Sequence, residues 1–498
     1  MRPARRLLLG LVLLACTGCA GLYFQPATTP AAPARPDLAH WPYREYWCGL
    51  VFNGARIGFS HLAMAPAAEP GLYEIRSEMA LAFRLLMLDK RITLKAQDLV
   101  RPDLSLVSFH YDFNLDGHTL IQDGLLEGDT LTVRVESGAG VEEERHPAPA
   151  ALYPASGTYL YPLLHDLVPG RVYEFAAYHA EARTVATVRQ EIFGWETSEL
   201  FFGQACRIRT QALGQSVETW LDTQGRPQLE LALGGVLIAG LEDEAVARRY
   251  LAEAALSKAE AFIDFSLIRT EPPIPQPRAT TELEMLVTGL PATLTLPSDS
   301  TQTCTPEAAA VRCRLRRPAA RPCRPASPDT WPEEARWALF PTNAAPNSHP
   351  AIQALAREVA GSETDPCRQI DRLLAWIASH IAREPVDVFS ALDVLAGGKA
   401  ECQGHALLFA ALARALDIPC RVVNGITYSE DFAGFLYHTW TEVFLDSSWQ
   451  PVDPTFGQPV ADATHLKLLA GETIKELAPL VDVVGRIQVE VKGQEGRE

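Results

Sequence analysis

The sequence predicts an α+β protein, with a β-rich N-terminal domain preceding a C-terminal body in which a group of helices leads into an antiparallel sheet. Three observations carry this. From Trp41 to about Gly240, short runs rich in β-branched and aromatic residues alternate with turn formers. From Ser348 to Leu416, apolar residues recur at helical spacing, and after Pro419 the alternating runs return. A chain of 498 residues also exceeds one ordinary core, since domains usually hold about 100 to 200 residues. The predicted division is a signal segment 1–16, a tether 17–40, the β-rich domain 41–256, a connector with some β structure 257–345, and the C-terminal body 346–498.

The opening MRPARRLLLGLVLLACTGCA joins Arg2, Arg5 and Arg6 to a short apolar core ending in small residues, the layout of a secretory signal and too short for a mature spanning helix. Its LLAC ending resembles a bacterial lipobox, which makes Cys16 the expected lipidated residue. Cys19 is the weaker choice, because Cys16-Thr17-Gly18 before it lack an aliphatic residue. A cleaved signal or an uncleaved anchor is the plainer alternative. The expectation is an exported lipoprotein of the bacterial envelope, facing the periplasm, held to a membrane by its lipid while its domains stay in water. QPATTPAAPARP, with no apolar period, then reads as an extended tether.

In the β-rich domain, KRITLKAQ, DTLTVRVES, RVYEFAAYHA and CRIRTQAL are strands separated by Asp116-Gly117, Gly128-Asp129, Pro169-Gly170 and Gln224-Gly225, which predicts a sandwich or a strongly curved sheet. EDEAVARRYLAEAALS, acidic at its start, suits a helix that closes the domain. LEMLVTGL is the one clear strand of the connector. Further on, SHPAIQALAREVAG and DPCRQIDRLLAWIASHI are helices, the second with Asp365 as N-cap, Pro366 at its first position and an apolar stripe of Ile370, Leu373, Leu374, Ile377 and Ile381. FSALDVLAGG is a short helix stopped at Gly397-Gly398, and PCRVVNGITY, HTWTEVFL and SWQPVDPTF are antiparallel strands.

Hydrophobic content of 47% with 21% charged residues supports packed cores. A net charge of −17 and a pI near 5.2 argue against a nucleic-acid partner, which needs a basic face. The basic stretch from Arg312 to Arg324 is interrupted by Pro318 and Pro322 and reads as a solvated loop or edge. Ten cysteines in an exported chain permit disulfides, with Cys304, Cys313 and Cys323 expected to pair locally. Irregular spacing speaks against a structural zinc site, and neither a metal motif nor a nucleotide loop implies a cofactor.

In KAECQGHALLFAALARALDIPCRVV, Cys402 stands at the start of a helix whose inward stripe is Leu408, Leu412 and Ala415. A helix N-terminus favours a thiolate and is expected to lower the thiol pKa. His405, one turn on, ranks below His438 as a partner and reads as a surface residue. His438 opens HTWTEVFL. A hairpin loop of either Asp446-Ser447 or Leu445 to Ser448 pairs Phe444 with Trp449 and Trp440 with Asp453, which puts His438 and Asp453 diagonally on one face. A slip of one residue would part them. In that register the aspartate orients the imidazole, the third role of a Cys-His-Asp triad.

AECQGHALLFAALARALDIPCRVV, YHTWTEVFL and WQPVDPTFGQPVADATHLKL together resemble the transglutaminase-like branch of the papain-like thiol enzymes, in its bacterial exported subgroup. The resemblance spans about 389–468 and implies a papain-like fold for 346–498, with Cys402 as nucleophile, His438 as general base and acid, and Asp453 as orienter. It implies thiol-dependent acyl transfer at amide bonds of envelope peptides or proteins, as protease, amidase or transglutaminase. Ala400 stands where that family commonly has glycine and Cys420 where it usually has alanine. For the oxyanion, the Cys402 backbone N–H is the nominated donor, with Trp376 as a side-chain guess. Asp462 and His465 are downstream alternatives to the pair that read first as capping or surface residues, and Trp440 reads as a cover for the pair or core filler. A Cys402–His405 metal pair lacks further ligands. A lone cysteine in an apolar segment is usually a packed hydrophobe, but three motifs in the right order outweigh that. The rival expectation is a non-catalytic module that binds peptide or protein in the same groove.

Overall fold

The computed structural model describes residues 23–30, 38–85, 88–138, 140–149, 151–257, 259, 261–292, 294–318, 323 and 331–496. Cys16, Cys19 and the signal segment lie outside them. No helix among the described residues is long and apolar enough to cross a membrane.

The N-terminal part is one large sheet, antiparallel almost throughout. Two meanders run through it, and its first long strand, Glu45–Phe52, joins Leu237–Glu242, the last. The sheet curls so that its halves face each other: Tyr178 Oη donates to Gln122 Oε1 at 2.9 Å, and the Tyr178 and Phe109 rings stack at 5.0 Å. Alternation drives this shape, because the inward residues Ile75, Leu106, Leu131, Val133 and Leu152 share one core when the sheet closes on itself. The predicted strands fall in Leu88–Val100, Thr130–Ser137, Val172–His179 and Gln204–Ala212. The predicted helix is Glu244–Leu256, lying on the other face of the sheet over Trp47, Phe59 and Ala80. One departure is in the tether: Phe24–Pro26 adds a short strand beside Glu196–Ser198, because Phe24 finds the Trp220 ring to stack on at 4.6 Å.

The C-terminal body packs Pro350–Ala360, Pro366–His380, Ala391–Gly397 and Cys402–Ala415 beside a sheet in the order Ile268–Arg269, Gly434–Leu445, Cys420–Ser429, Leu466–Ala470, with Ser448–Val452 also on Gly434–Leu445. Asp365 caps its helix as predicted, accepting from Cys367 N at 2.8 Å, and Ser390 and Asp393 form a capping box on the next. Residues 257–345 contribute more than a connection. Ile268–Arg269 extends the main sheet, and Thr280–Thr288 is an inner strand of a second sheet beside Ala310–Arg316 and the last strand, Gln488–Gly496. Within that sheet Arg312 and Arg314 pair with Glu284, which accounts for part of the basic stretch. Disulfides join Cys304 to Cys313 and Cys323 to Cys367, so Cys323 pairs away from its sequence neighbours.

The Cys402–Ala415 helix is buried all round from Gly404 to Arg414, where a single inward stripe was expected. Helices cover one side and the Gly434–Leu445 and Cys420–Ser429 strands the other, so a helix apolar on every face is the stable choice. Gly404 is what lets it dock: a Cβ there would lie 2.6 Å from Ala400 Cβ and 3.1 Å from Val388 and Val394.

Candidate active site

The turn between the two strands that carry His438 and Asp453 is Asp446-Ser447, both left-handed at φ 46° and 67°. That two-residue geometry matches strand twist and fixes the register, with Phe444 opposite Trp449 and Thr441 opposite Val452. His438 and Asp453 therefore share a face, and His438 Nε2 donates to Asp453 Oδ2 at 2.8 Å. A carboxylate only accepts, so the proton is on Nε2 and Nδ1 is the ring's acceptor in the neutral form. Asp453 is fully buried and held from behind by Thr455 N and Phe456 N, which donate to Oδ1 at 2.7 and 3.1 Å. This tight turn lays the Phe456 ring on His438 at 5.0 Å, and the Arg278 guanidinium lies over the outer face of Phe456 at 3.9 Å.

Cys402 starts its helix as expected, partly accessible and in no disulfide. Its sulfur sits against the Thr439 backbone N–H, which favours the thiolate, one residue along the strand from His438. The lowered pKa expected at the helix N-terminus is overturned. Burial pushes the Cys402 thiol well above its ordinary value, and Glu401 adds to this by its charge and by accepting the Sγ–H at 3.0 Å. Burial raises Glu401 as well. The same Glu401 caps the helix through Gln403 N at 2.8 Å. His405, expected on the surface, is buried and donates from Nδ1 to the Glu401 carbonyl at 2.8 Å, tying down the first turn. Trp376 stacks on His380 at 4.4 Å.

Asp462 and His465 were read as capping or surface residues, and the structure corrects both. His465 Nε2 donates to Asp453 Oδ2 at 3.0 Å and its Nδ1 to Asp462 Oδ1 at 3.3 Å, while Arg278 reaches Asp462 Oδ2 at 2.8 Å. Burial works against a charge on His465, but Asp462 and Asp453 outweigh it and raise its pKa to about 9. Burial would raise both carboxylates, yet the histidines, and Arg278 at Asp462, hold them well below the usual range. His438 goes the other way, its pKa lowered by burial despite Asp453. Two carboxylates are thus balanced by His465 and Arg278, with His438 neutral. Nothing in one dimension ties His465 to Asp453; only the Asp462-x-x-His465 spacing hinted that these two act together. Donor atoms of His438, Asp453 and His465 lie within 4.8 Å of one another, close enough to hold a metal ion, but a protonated His465 is a poor ligand.

The N-terminal sheet reaches this region. Buried Lys90 Nζ bonds Asp116 at 2.6 Å and Asp387 at 3.1 Å, and the charge of Asp387 acts on Glu401. A groove of about 550 Å³ runs between the two parts, with Val141, Glu142 and Glu181 on one wall and Phe389, Gln403 and Glu472 on the other. Gln403 is the residue after Cys402.

Residues 353–454 match the model of the Transglutaminase-like superfamily. Over 105 residues the chain is 31% identical to kyphoscoliosis peptidase of Mus musculus and of Homo sapiens, an alignment covering 18% of this chain and 16% of the relative. The chain therefore spans 16% of the length of the curated relatives it matches. A solved structure of a candidate cysteine protease from Cytophaga hutchinsonii is similar at 14% identity and a TM-score of 0.30, over 44% of this chain and 86% of that one.

Proposed function

From the premise that the chain carries a C-terminal transglutaminase-like domain, distantly related to a peptidase, we propose that it catalyses thiol-dependent acyl transfer at amide bonds of peptides or proteins, with Cys402, His438 and Asp453 as its catalytic triad. The observation that carries this is the 2.8 Å bond from His438 Nε2 to Asp453, on a strand whose next backbone N–H meets the Cys402 sulfur. Asp453 fixes the tautomer that leaves Nδ1 to accept a proton. In the reaction, His438 takes the thiol proton as Cys402 sulfur attacks the amide carbonyl, and the tetrahedral adduct collapses to a thioester as the amine leaves with that proton. Water or a second amine then resolves the thioester, giving hydrolysis or crosslinking. The resting site holds an un-ionised thiol, so the proton transfer to His438 accompanies the attack. The groove beside Gln403 is large enough for a peptide segment. We propose further that the protein is held on a membrane of the bacterial envelope, facing the periplasm; the basic and apolar N-terminal run ending in LLAC at Cys16 supports this reading.

One observation favours a binding module instead. Burial and the hydrogen bond to Glu401 both hold the Cys402 thiol in its protonated form, which disfavours nucleophilic attack at neutral pH.

The test is incubation of the full chain with mixed glutamine- and lysine-containing peptides, read by mass spectrometry for cleavage, for loss of ammonia, or for joined peptides. Products formed by the wild type and lost in both Cys402→Ala and His438→Ala support the triad. Absence of products from the wild type, with iodoacetamide labelling of Cys402 unchanged in His438→Ala, leaves the binding module.

A further inference from the structure

We propose that the hairpin tip at residues 199–203 is a membrane-contacting surface, in which Leu200 and Phe202, together with Tyr23, enter the interfacial layer of a phospholipid bilayer. This goes beyond the proposed reaction and stands whether or not Cys402 reacts. The tip joins Thr184–Ser198 to Gln204–Ala212. Its middle residue, Phe201, turns inward and packs with Ala205, Trp220 and Leu229. The residues on either side do not: Leu200 is 54% and Phe202 92% exposed. Burying Phe201 already anchors the loop, so nothing in the fold accounts for two large apolar side chains held in water beside it.

The occupant follows from where the preceding chain arrives. Phe24–Pro26 pairs antiparallel with Glu196–Ser198, Phe24 opposite Ser198, and the Phe24 ring is locked on Trp220. Tyr23, 55% exposed, therefore emerges at this tip. Upstream lies the apolar run LLLGLVLLAC, the segment of this chain suited to a bilayer. Tyr23 is seven residues on from Cys16, and an extended chain of that length spans at most about 25 Å. Whether a lipid on Cys16 or the run itself holds the bilayer, the tip lies within reach of it. Aromatic and aliphatic side chains at such a distance partition into the headgroup boundary.

The same geometry orients the protein. The Thr184–Ser198 strand has fifteen residues, so at about 3.3 Å each it runs roughly 45 Å from the tip to its other end. There Arg183 bonds Glu144 at 2.6 Å, beside the groove that leads to the C-terminal body. With the tip on a membrane, the groove stands away from it.

The test reconstitutes the full chain, with its own N-terminal segment, into vesicles of phosphatidylethanolamine and phosphatidylglycerol. Benzoylphenylalanine is substituted for Phe202 or, at the far end, for Val141, which is 58% exposed. After irradiation, mass spectrometry should find lipid adducts at position 202 and none above background at 141, and adding Leu200→Ser should reduce those at 202. Adducts at 202 to a second copy of the chain, an equal lipid yield at both positions, no lipid adduct at 202, or a chain that does not float with the vesicles would each overturn the proposal.

Discussion

His465 and His438 donate to the same oxygen of Asp453, Oδ2, at 3.0 and 2.8 Å. The carboxylate of the candidate site therefore divides its field between two imidazoles. His465, which also has Asp462, keeps the proton, and His438 is left neutral by burial. A thiolate–imidazolium pair needs a positive His438 in the resting state; this arrangement withholds it, in keeping with a Cys402 thiol raised well above its ordinary value.

The charge on His465 should be visible in stability against pH. Its folded pKa of about 9 lies above the ordinary 6.5, so the folded state binds the proton more tightly. The contribution is fully present below about pH 6.5 and is lost as pH rises through about 9, on the order of 3 kcal/mol in all. Urea unfolding at pH 6.5, 8 and 9.5 should show that decline. His465→Gln should flatten it while costing about 3 kcal/mol or more at pH 7, because Asp453 and Asp462 lose their shared cation. An unchanged slope in the variant would mean that His465 is uncharged.

Glu401 should restrain Cys402. Both its charge and its hydrogen bond favour the protonated thiol, so Glu401→Gln removes one and weakens the other. Each unit by which the thiol pKa falls gives about tenfold more thiolate at a pH below it. Iodoacetamide labelling of Cys402 at pH 8 should quicken by about tenfold in the variant. Slower labelling would show that Glu401 helps to draw the proton away.

Local pattern and turn chemistry made much of this legible. The His438–Asp453 contact followed from Asp446-Ser447 as a two-residue hairpin turn, since register is set by the turn and the face by a period of two. Asp365 and Pro366 marked their helix start for equally local reasons. The environment was not legible. The site's pKa directions come from burial, from Glu401 next to Cys402 in the chain, and from His465 and Arg278, whose contacts arise only on folding. Helix position alone pointed the Cys402 pKa downward, but the dipole effect is modest beside desolvation and the neighbouring Glu401. In 257–345 the predicted strand LEMLVTGL lies mostly in Thr280–Thr288, but its inner position shows only once Gln488–Gly496 pairs with it, and the strands Gln302–Glu307 and Ala310–Arg316 were hidden among prolines and cysteines.

Gly404 is the tightest point under the candidate nucleophile. A methyl group there would lie 2.6 Å from Ala400 Cβ, two residues before Cys402. The helix must shift outward or the preceding turn must yield, and overpacking of this kind costs about 1 to 3 kcal/mol. Gly404→Ala should lower the thermal midpoint accordingly, despite the better helix propensity of alanine. It should also alter Cys402 labelling, since the sulfur moves relative to Thr439 N–H. A midpoint equal to or above that of the wild type would show that the contact relaxes freely.

The two disulfides should contribute unequally. Cys323–Cys367 closes 44 residues of sequence and Cys304–Cys313 only 9. If restricting the unfolded chain dominates, the longer loop is worth about 4 kcal/mol and the shorter about 2.5. Cys323→Ser should therefore lower the urea midpoint more than Cys304→Ser. The longer bridge also ends on Cys367, one residue into the Pro366–His380 helix, whose Ile370, Leu374 and Ile377 belong to the core around the Cys402 helix. Its loss should loosen that packing and raise amide exchange in the Cys402 helix. Loss of the Cys304–Cys313 bridge, within the second sheet, should leave exchange there unchanged. Equal effects of the two variants on midpoint and exchange would mean that native-state packing, rather than loop length, sets what each bridge contributes.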